Sequence, residues 1–131
     1  MKNNNLSKSE LILNEDGSIY HLKLKPEDVA QTIISVGDPE RVELISSRFD
    51  QVRVKKSCRE FVTHTGTYKG KEITVISTGI GTDNVDIVIN ELDALVNIDL
   101  DKRAVKEELT ALNIFRIGTS GTIQSDIPID S

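Results

Sequence analysis

Three short apolar runs, Thr32–Val36, Glu72–Ser77 and Leu112–Phe115, lead into glycine: at Gly37, at Gly79 and Gly81, and at Gly118 and Gly121. Runs of this length, rich in β-branched residues, read as strands buried on both faces. Helical patterns separate them. Val42, Leu44, Ile45 and Phe49 return at helical spacing, and Val85, Ile87, Val88, Ile89, Leu92 and Leu95 give a wide apolar face to about residue 97. Strands alternating with helices predict an α/β fold. In open parallel sheets, ligands bind outside the carboxyl ends of the strands. Three glycine-rich turns at such ends therefore predict one ligand site along one edge.

The intervening chain is β-rich. Gln51–Lys56 and Phe61–Tyr68 alternate polar and apolar, and Lys69-Gly70-Lys71 is a turn, so this block reads as a hairpin leading into the second buried strand. Asn14–Gly17 is a turn signal, Pro26–Val29 suits a first helical turn, and Thr82 or Asp83 can cap the helix after Gly81. The charged stretch 98–111 reads as a surface insertion with a short helix over Val105–Leu109, and Asp126–Asp130 as the start of a further strand. Residues 1–10 are polar and expected to fray. Residues 11–131 are expected to form the N-terminal portion of a single domain, because Asp126–Asp130 reads as the start of another strand and a parallel sheet calls for a covering crossover after such a strand.

At 131 residues the chain can bury roughly two-thirds of its unfolded surface. With no Trp, that core falls to Ile, Val and Leu. A net charge of −5 argues against a general nucleic-acid binder while allowing a local basic pocket. Cys58 is the one cysteine, so no intrachain disulfide and no Cys/His metal spacing exists. There is no membrane-length apolar run and no apolar signal core, and the chain is read as cytoplasmic.

The chemistry-bearing residues gather at the glycine turns. Gly37-Asp38-Pro39 precedes a helix and Arg41 lies in its first turn, so backbone N–H groups and a guanidinium can meet one anion; a plain strand-to-helix turn with a surface Arg is the alternative. Arg116-Ile117-Gly118-Thr119-Ser120-Gly121 is more specific. An arginine at the end of a buried strand needs an anionic partner. Gly118 opens space beside it, and Thr119 or Ser120 offers donors, which suits a tetrahedral oxyanion; a structural carboxylate is the other candidate partner. Arg59 is a third potential anion ligand, and Glu60 either pairs with it, helps hold a cation or is simply solvated. His21 and His64 read as a surface and a structural histidine. The chain holds no P-loop, no complete dinucleotide fingerprint and no nucleophile–base set.

Taken together and in order, Tyr20-His21-Leu22, Gly37–Arg41, Cys58–Phe61, Ser77–Gly81 and Arg116–Gly121 resemble the hexameric nucleoside phosphorylases, above all the uridine phosphorylase branch, from about residue 9 to the C-terminus. The resemblance implies a three-layer α/β/α fold with a mixed, largely buried sheet, of which this chain is the first half. It implies reversible phosphorolysis of a nucleoside, uridine first and a purine nucleoside second, with inorganic phosphate as co-substrate and no cofactor. A nucleosidase of the same fold and a non-enzymatic phosphate-binding or subunit-interaction fragment are the other readings. Gly37, Arg41, Arg116, Gly118 and Thr119 are implied as phosphate ligands, with Arg59 donated by a neighbouring subunit. His21 is implied as the neighbour's contact to the ribose 5′-hydroxyl, and Thr119 as a second ribose contact. Glu60, Ile80 and Asn84 match a potassium site between subunits, with Asn84 where serine is usual. A homodimer sharing active sites, assembled into a hexamer, is the implied quaternary structure. Base recognition lies outside these motifs, so this chain alone is expected to be inactive.

Overall fold

In the computed structural model, which describes residues 5–130, the run Thr32–Val36 is the central strand, β1. It pairs in parallel on one side with β4 (Lys71–Ser77) and on the other with β7 (Asn113–Arg116). β4 pairs antiparallel with β3 (Phe61–Tyr68), and β3 with β2 (Gln51–Cys58), so the five-stranded sheet runs β2-β3-β4-β1-β7. The sheet is mixed, as expected. Lys69 and Gly70, at φ 49° and 75°, form the two-residue link between β3 and β4. Two successive left-handed residues match the right-handed twist of the strands they join.

Strand alternation divides the core into two layers. Val36 and Val75 face α1 (Glu40–Ser46) and pack with Val42, while Ile34, Ile45, Phe49 and Ile73 flank them. On the other face Ile33, Phe61 and Ile76 meet α2 (Thr82–Asn97) through Val88, Leu92 and Leu95, together with Leu22 and Leu24 from the N-terminal segment. Val88, Leu92 and Leu95 fall at i, i+4 and i+7, one stripe of a helix. The result is helix, sheet and helix in three layers. No helix among the described residues is long and apolar enough to cross a membrane.

Several expectations are corrected. Gly81, not Thr82 or Asp83, is the N-cap of α2, at φ 108°, with Asp83 in the first turn where a negative charge suits the helix dipole. Pro26–Asp28 is a single 3-10 turn and does not continue as a helix. The charged stretch holds no helix. Ile98–Asp99 (β5) and Ala104–Val105 (β6) pair as a small ladder, because Asp99 Oδ1 accepts from the Lys102 N–H at 2.9 Å and closes a turn. Asp126–Asp130 forms turns and no strand. β7 lies at the sheet edge and all four of its residues are exposed, so Arg116 does not end a buried strand.

Residues 1–4 of the segment expected to fray lie outside the described residues. From Leu6 onward it is held. The Leu6 N–H donates to the Arg103 carbonyl at 2.7 Å, and the Arg103 guanidinium donates to the carbonyls of Leu6, Ser7 and Leu11.

His64 is buried on β3, its Nδ1 2.7 Å from Ser46 Oγ. Burial pushes its pKa below the usual 6.5, the Lys55 charge adds to this, and Glu43 opposes it. Above 6.5 the ring is neutral folded or unfolded, and His64 adds no pH dependence. Below 6.5 the unfolded chain takes up a proton that the folded chain resists, so stability falls until pH passes below the depressed folded value. Urea unfolding across that window should show this slope in the wild type and lose it in His64→Asn. Equal slopes would rule His64 out.

Candidate functional site

The carboxyl ends of β4, β1 and β7 are stitched side by side. The Thr78 N–H donates to the Val36 carbonyl at 2.9 Å, Gly79 N–H to Gly37 at 2.8 Å and Ile117 N–H to Ser35 at 2.9 Å. Above them opens a cleft of about 560 Å³. The turn after β1 contributes Gly37, Asp38 and Pro39, and α1 contributes Arg41. The turn after β7 contributes Arg116, Gly118 and Thr119. The opposite wall is Glu60, Gly79, Ile80 and Asn84. Strands 80 residues apart in sequence thus bring the GDPER and RIGTS segments into one cavity, where the sheet rule predicted a site.

Neither Arg41 nor Arg116 has a carboxylate partner through its side chain among the described residues, and the carboxylates nearby are otherwise engaged. Asp38 Oδ1 accepts from the Glu40 N–H at 2.9 Å, and Glu60 Oε1 accepts from Asn84 Nδ2 at 2.7 Å. The Arg116 guanidinium folds back over Gly118, where an added Cβ would stand 3.4 Å from Cζ and both terminal nitrogens. Two guanidinium groups beside open backbone and a hydroxyl suit an oxyanion with several acceptor oxygens.

Gly79 fixes the wall. Its φ is +68°, and a Cβ there would come 2.7 Å from Glu60 Cγ and 3.2 Å from Asn84 Nδ2. Glycine lets Glu60 and Asn84 close on the turn. The Glu60 carboxyl is held below its usual range, chiefly by its own backbone N–H, then by the Asn84 amide, with a smaller share from the Arg59 charge. Asn84 Nδ2 also lies 3.4 Å from the Ile80 carbonyl, so Glu60, Ile80 and Asn84 are one hydrogen-bonded group. Among the described residues no cluster of three or more His, Cys, Asp or Glu could hold a metal ion.

Arg59 and His21 are not in this cleft. Arg59 occupies the two-residue link between β2 and β3 at φ 55°, a conformation uncommon for a residue with a side chain. His21 lies beside α2, its Nδ1 2.6 Å from Glu91 Oε1. Sequence reasoning passed over Glu91, although a carboxylate between Val88 and Leu92, on the buried side of a helix, is itself a signal. It also gave Asp38 and Pro39 no role beyond the turn, whereas they line the cavity.

Residues 31–131 match the family profile described as phosphorylase superfamily. The uridine phosphorylase of Thermococcus kodakarensis is 43% identical over 115 residues, covering 88% of this chain and 36% of the relative. A DeoD-type purine nucleoside phosphorylase of Bacillus thuringiensis is 34% identical over 110 residues, covering 83% of this chain and 41% of the relative. Among solved structures, a Trypanosoma brucei nucleoside phosphorylase, reported to show uridine phosphorylase activity, is similar with a TM-score of 0.80 at 40% identity, over 90% of this chain and 41% of the other. The chain therefore spans about two fifths of the length of the relatives it matches.

Proposed function

The chain belongs to the phosphorylase superfamily, and from that premise we propose that it is the phosphate-binding part of a nucleoside phosphorylase whose substrate is uridine. The observation that carries the proposal is the convergence of Arg41 and Arg116, without carboxylate partners among the described residues, on a cleft shared with Gly37, Gly118 and Thr119. Identity of 43% to a uridine phosphorylase against 34% to a purine nucleoside phosphorylase supports uridine over a purine nucleoside.

In this reading the cleft holds inorganic phosphate as the nucleophile, with no cofactor. A phosphate oxygen forms a bond to ribose C1′ as the C1′–N bond to uracil breaks. The electron pair leaves with the base, which takes up a proton. Positive charge grows on the sugar in the transition state, and a dianion held against it is stabilising. The two guanidinium groups orient the phosphate while Thr119 reaches from it toward the ribose. Arg59 and His21, outside the cleft of their own chain, serve the site of a neighbour, Arg59 at the phosphate and His21 at the ribose 5′-hydroxyl. That arrangement requires a homodimer, the unit of a hexamer. A potassium ion at Glu60, Ile80 and Asn84 belongs to the same proposal; the Asn84 amide now spans the two oxygens, so the ion enters only with the amide turned. The cytoplasm is the place of action in this reading.

Calorimetry of the chain with inorganic phosphate tests the site, and absence of binding overturns it. Assay of the enzyme carrying these residues, with uridine, inosine and adenosine, tests the substrate. Uridine is expected to disappear only when phosphate is present, yielding uracil and ribose 1-phosphate. Loss without phosphate would make it a nucleosidase, and loss of inosine in place of uridine a purine enzyme.

A further inference from the structure

Glu91 is the most heavily engaged carboxylate among the described residues. Its Oε1 lies 2.6 Å from His21 Nδ1, its Oε2 accepts from the Leu22 N–H at 2.9 Å, and both oxygens stand 3.1–3.2 Å from the His21 N–H. Its side chain is 13% exposed and that of His21 28%. From another side the Tyr20 ring packs edge-on against the imidazole, centroids 4.7 Å apart at 77°. The ring is thus held at one nitrogen and on its flank, with Nε2 left as the polar atom free to meet a ligand.

An ionised carboxylate only accepts hydrogen bonds, so the Nδ1 facing it must carry the proton, and a neutral imidazole then presents Nε2 as a bare lone pair. We propose that Glu91 is a positioning residue that fixes His21 in this tautomer, so that His21 accepts a hydrogen bond from an uncharged hydroxyl and disfavours a phosphate ester at the same place. The chemistry follows from charge and donor count. A hydroxyl has the proton that Nε2 needs. A phosphomonoester dianion offers none, and meets a lone pair backed by a carboxylate. The substrate class selected is a nucleoside or sugar phosphate with a free 5′-hydroxyl, not a nucleotide. The selection rests on the phosphorylase reading given above; the tautomer does not.

Long-range proton–nitrogen correlation on the chain, with the imidazoles neutral, reads the tautomer directly. The wild type is expected to show a protonated Nδ1 and a bare Nε2 at His21. In Glu91→Gln the amide can donate or accept at Nδ1, and the single tautomer should give way to a mixture, with backbone amide dispersion confirming that the fold is kept. A protonated Nε2 in the wild type, or the same single tautomer in Glu91→Gln, would overturn the proposal. Ribose 1-phosphate and 5-deoxyribose 1-phosphate are then titrated in. A shift of His21 Nε2 with the first and not the second supports its role as acceptor, and equal shifts with both sink it. Failure of both sugars to bind counts against the phosphorylase reading and leaves the tautomer result standing.

Discussion

Arg116→Ala is expected to weaken binding of inorganic phosphate by about 10- to 150-fold, the range for loss of a charge-assisted, two-pronged contact worth ~1.5–3 kcal/mol. Calorimetry on the wild type and the variant measures it. The fold should not suffer. Arg116 is exposed at the end of an edge strand and holds no ion pair among the described residues, so the unfolding midpoint should move little. Arg116→Lys keeps the charge and loses the planar fork, and is expected to fall between the two. Equal phosphate affinity in wild type and Arg116→Ala would remove Arg116 from the site, and with it the convergence on which the functional reading stands.

The largest loss of stability is expected at Gly66, in the middle of β3. A Cβ there would overlap the Gln51 carbonyl oxygen of the neighbouring strand and stand 2.8 Å from Cδ2 of Phe49. The oxygen is backbone and the ring is part of the α1-side core, so neither yields cheaply. Gly66→Ala should cost about 1–3 kcal/mol or more through forced displacement of β2. With m-values of about 1–3 kcal/mol per molar urea, the midpoint should drop by roughly 1 M. An unchanged midpoint would mean that β2 and β3 are not packed this closely.

The central architecture was legible because its signals are local. Thr32–Val36 runs into Gly37-Asp38-Pro39 and Phe61–Tyr68 into the Lys69-Gly70 turn, and α2 ends at Asn97, where its apolar stripe runs out. The cleft was legible because glycine marks strand ends wherever the backbone must come close to something. What escaped the reading was decided by partners far along the chain. Val105–Leu109 reads as a short helix in isolation, but Asp99 caps a turn that pairs Val105 with Ile98, and Arg103 is drawn to the carbonyls of Leu6, Ser7 and Leu11. β7 has the composition of an inner strand and lies at the edge of the five strands that this chain supplies. Glu91 acquired its meaning from a histidine 70 residues earlier.

Arg59 stands outside the cleft of its own chain while Arg116 lines it. Under the shared-site reading, harm to the two is inherited differently. A chain lacking Arg116 spoils its own site, and a chain lacking Arg59 spoils its neighbour's. When the two defective chains pair, both losses fall on one site. The other receives Arg116 from one subunit and Arg59 from the other and is whole, so two dead alleles can together make a working enzyme.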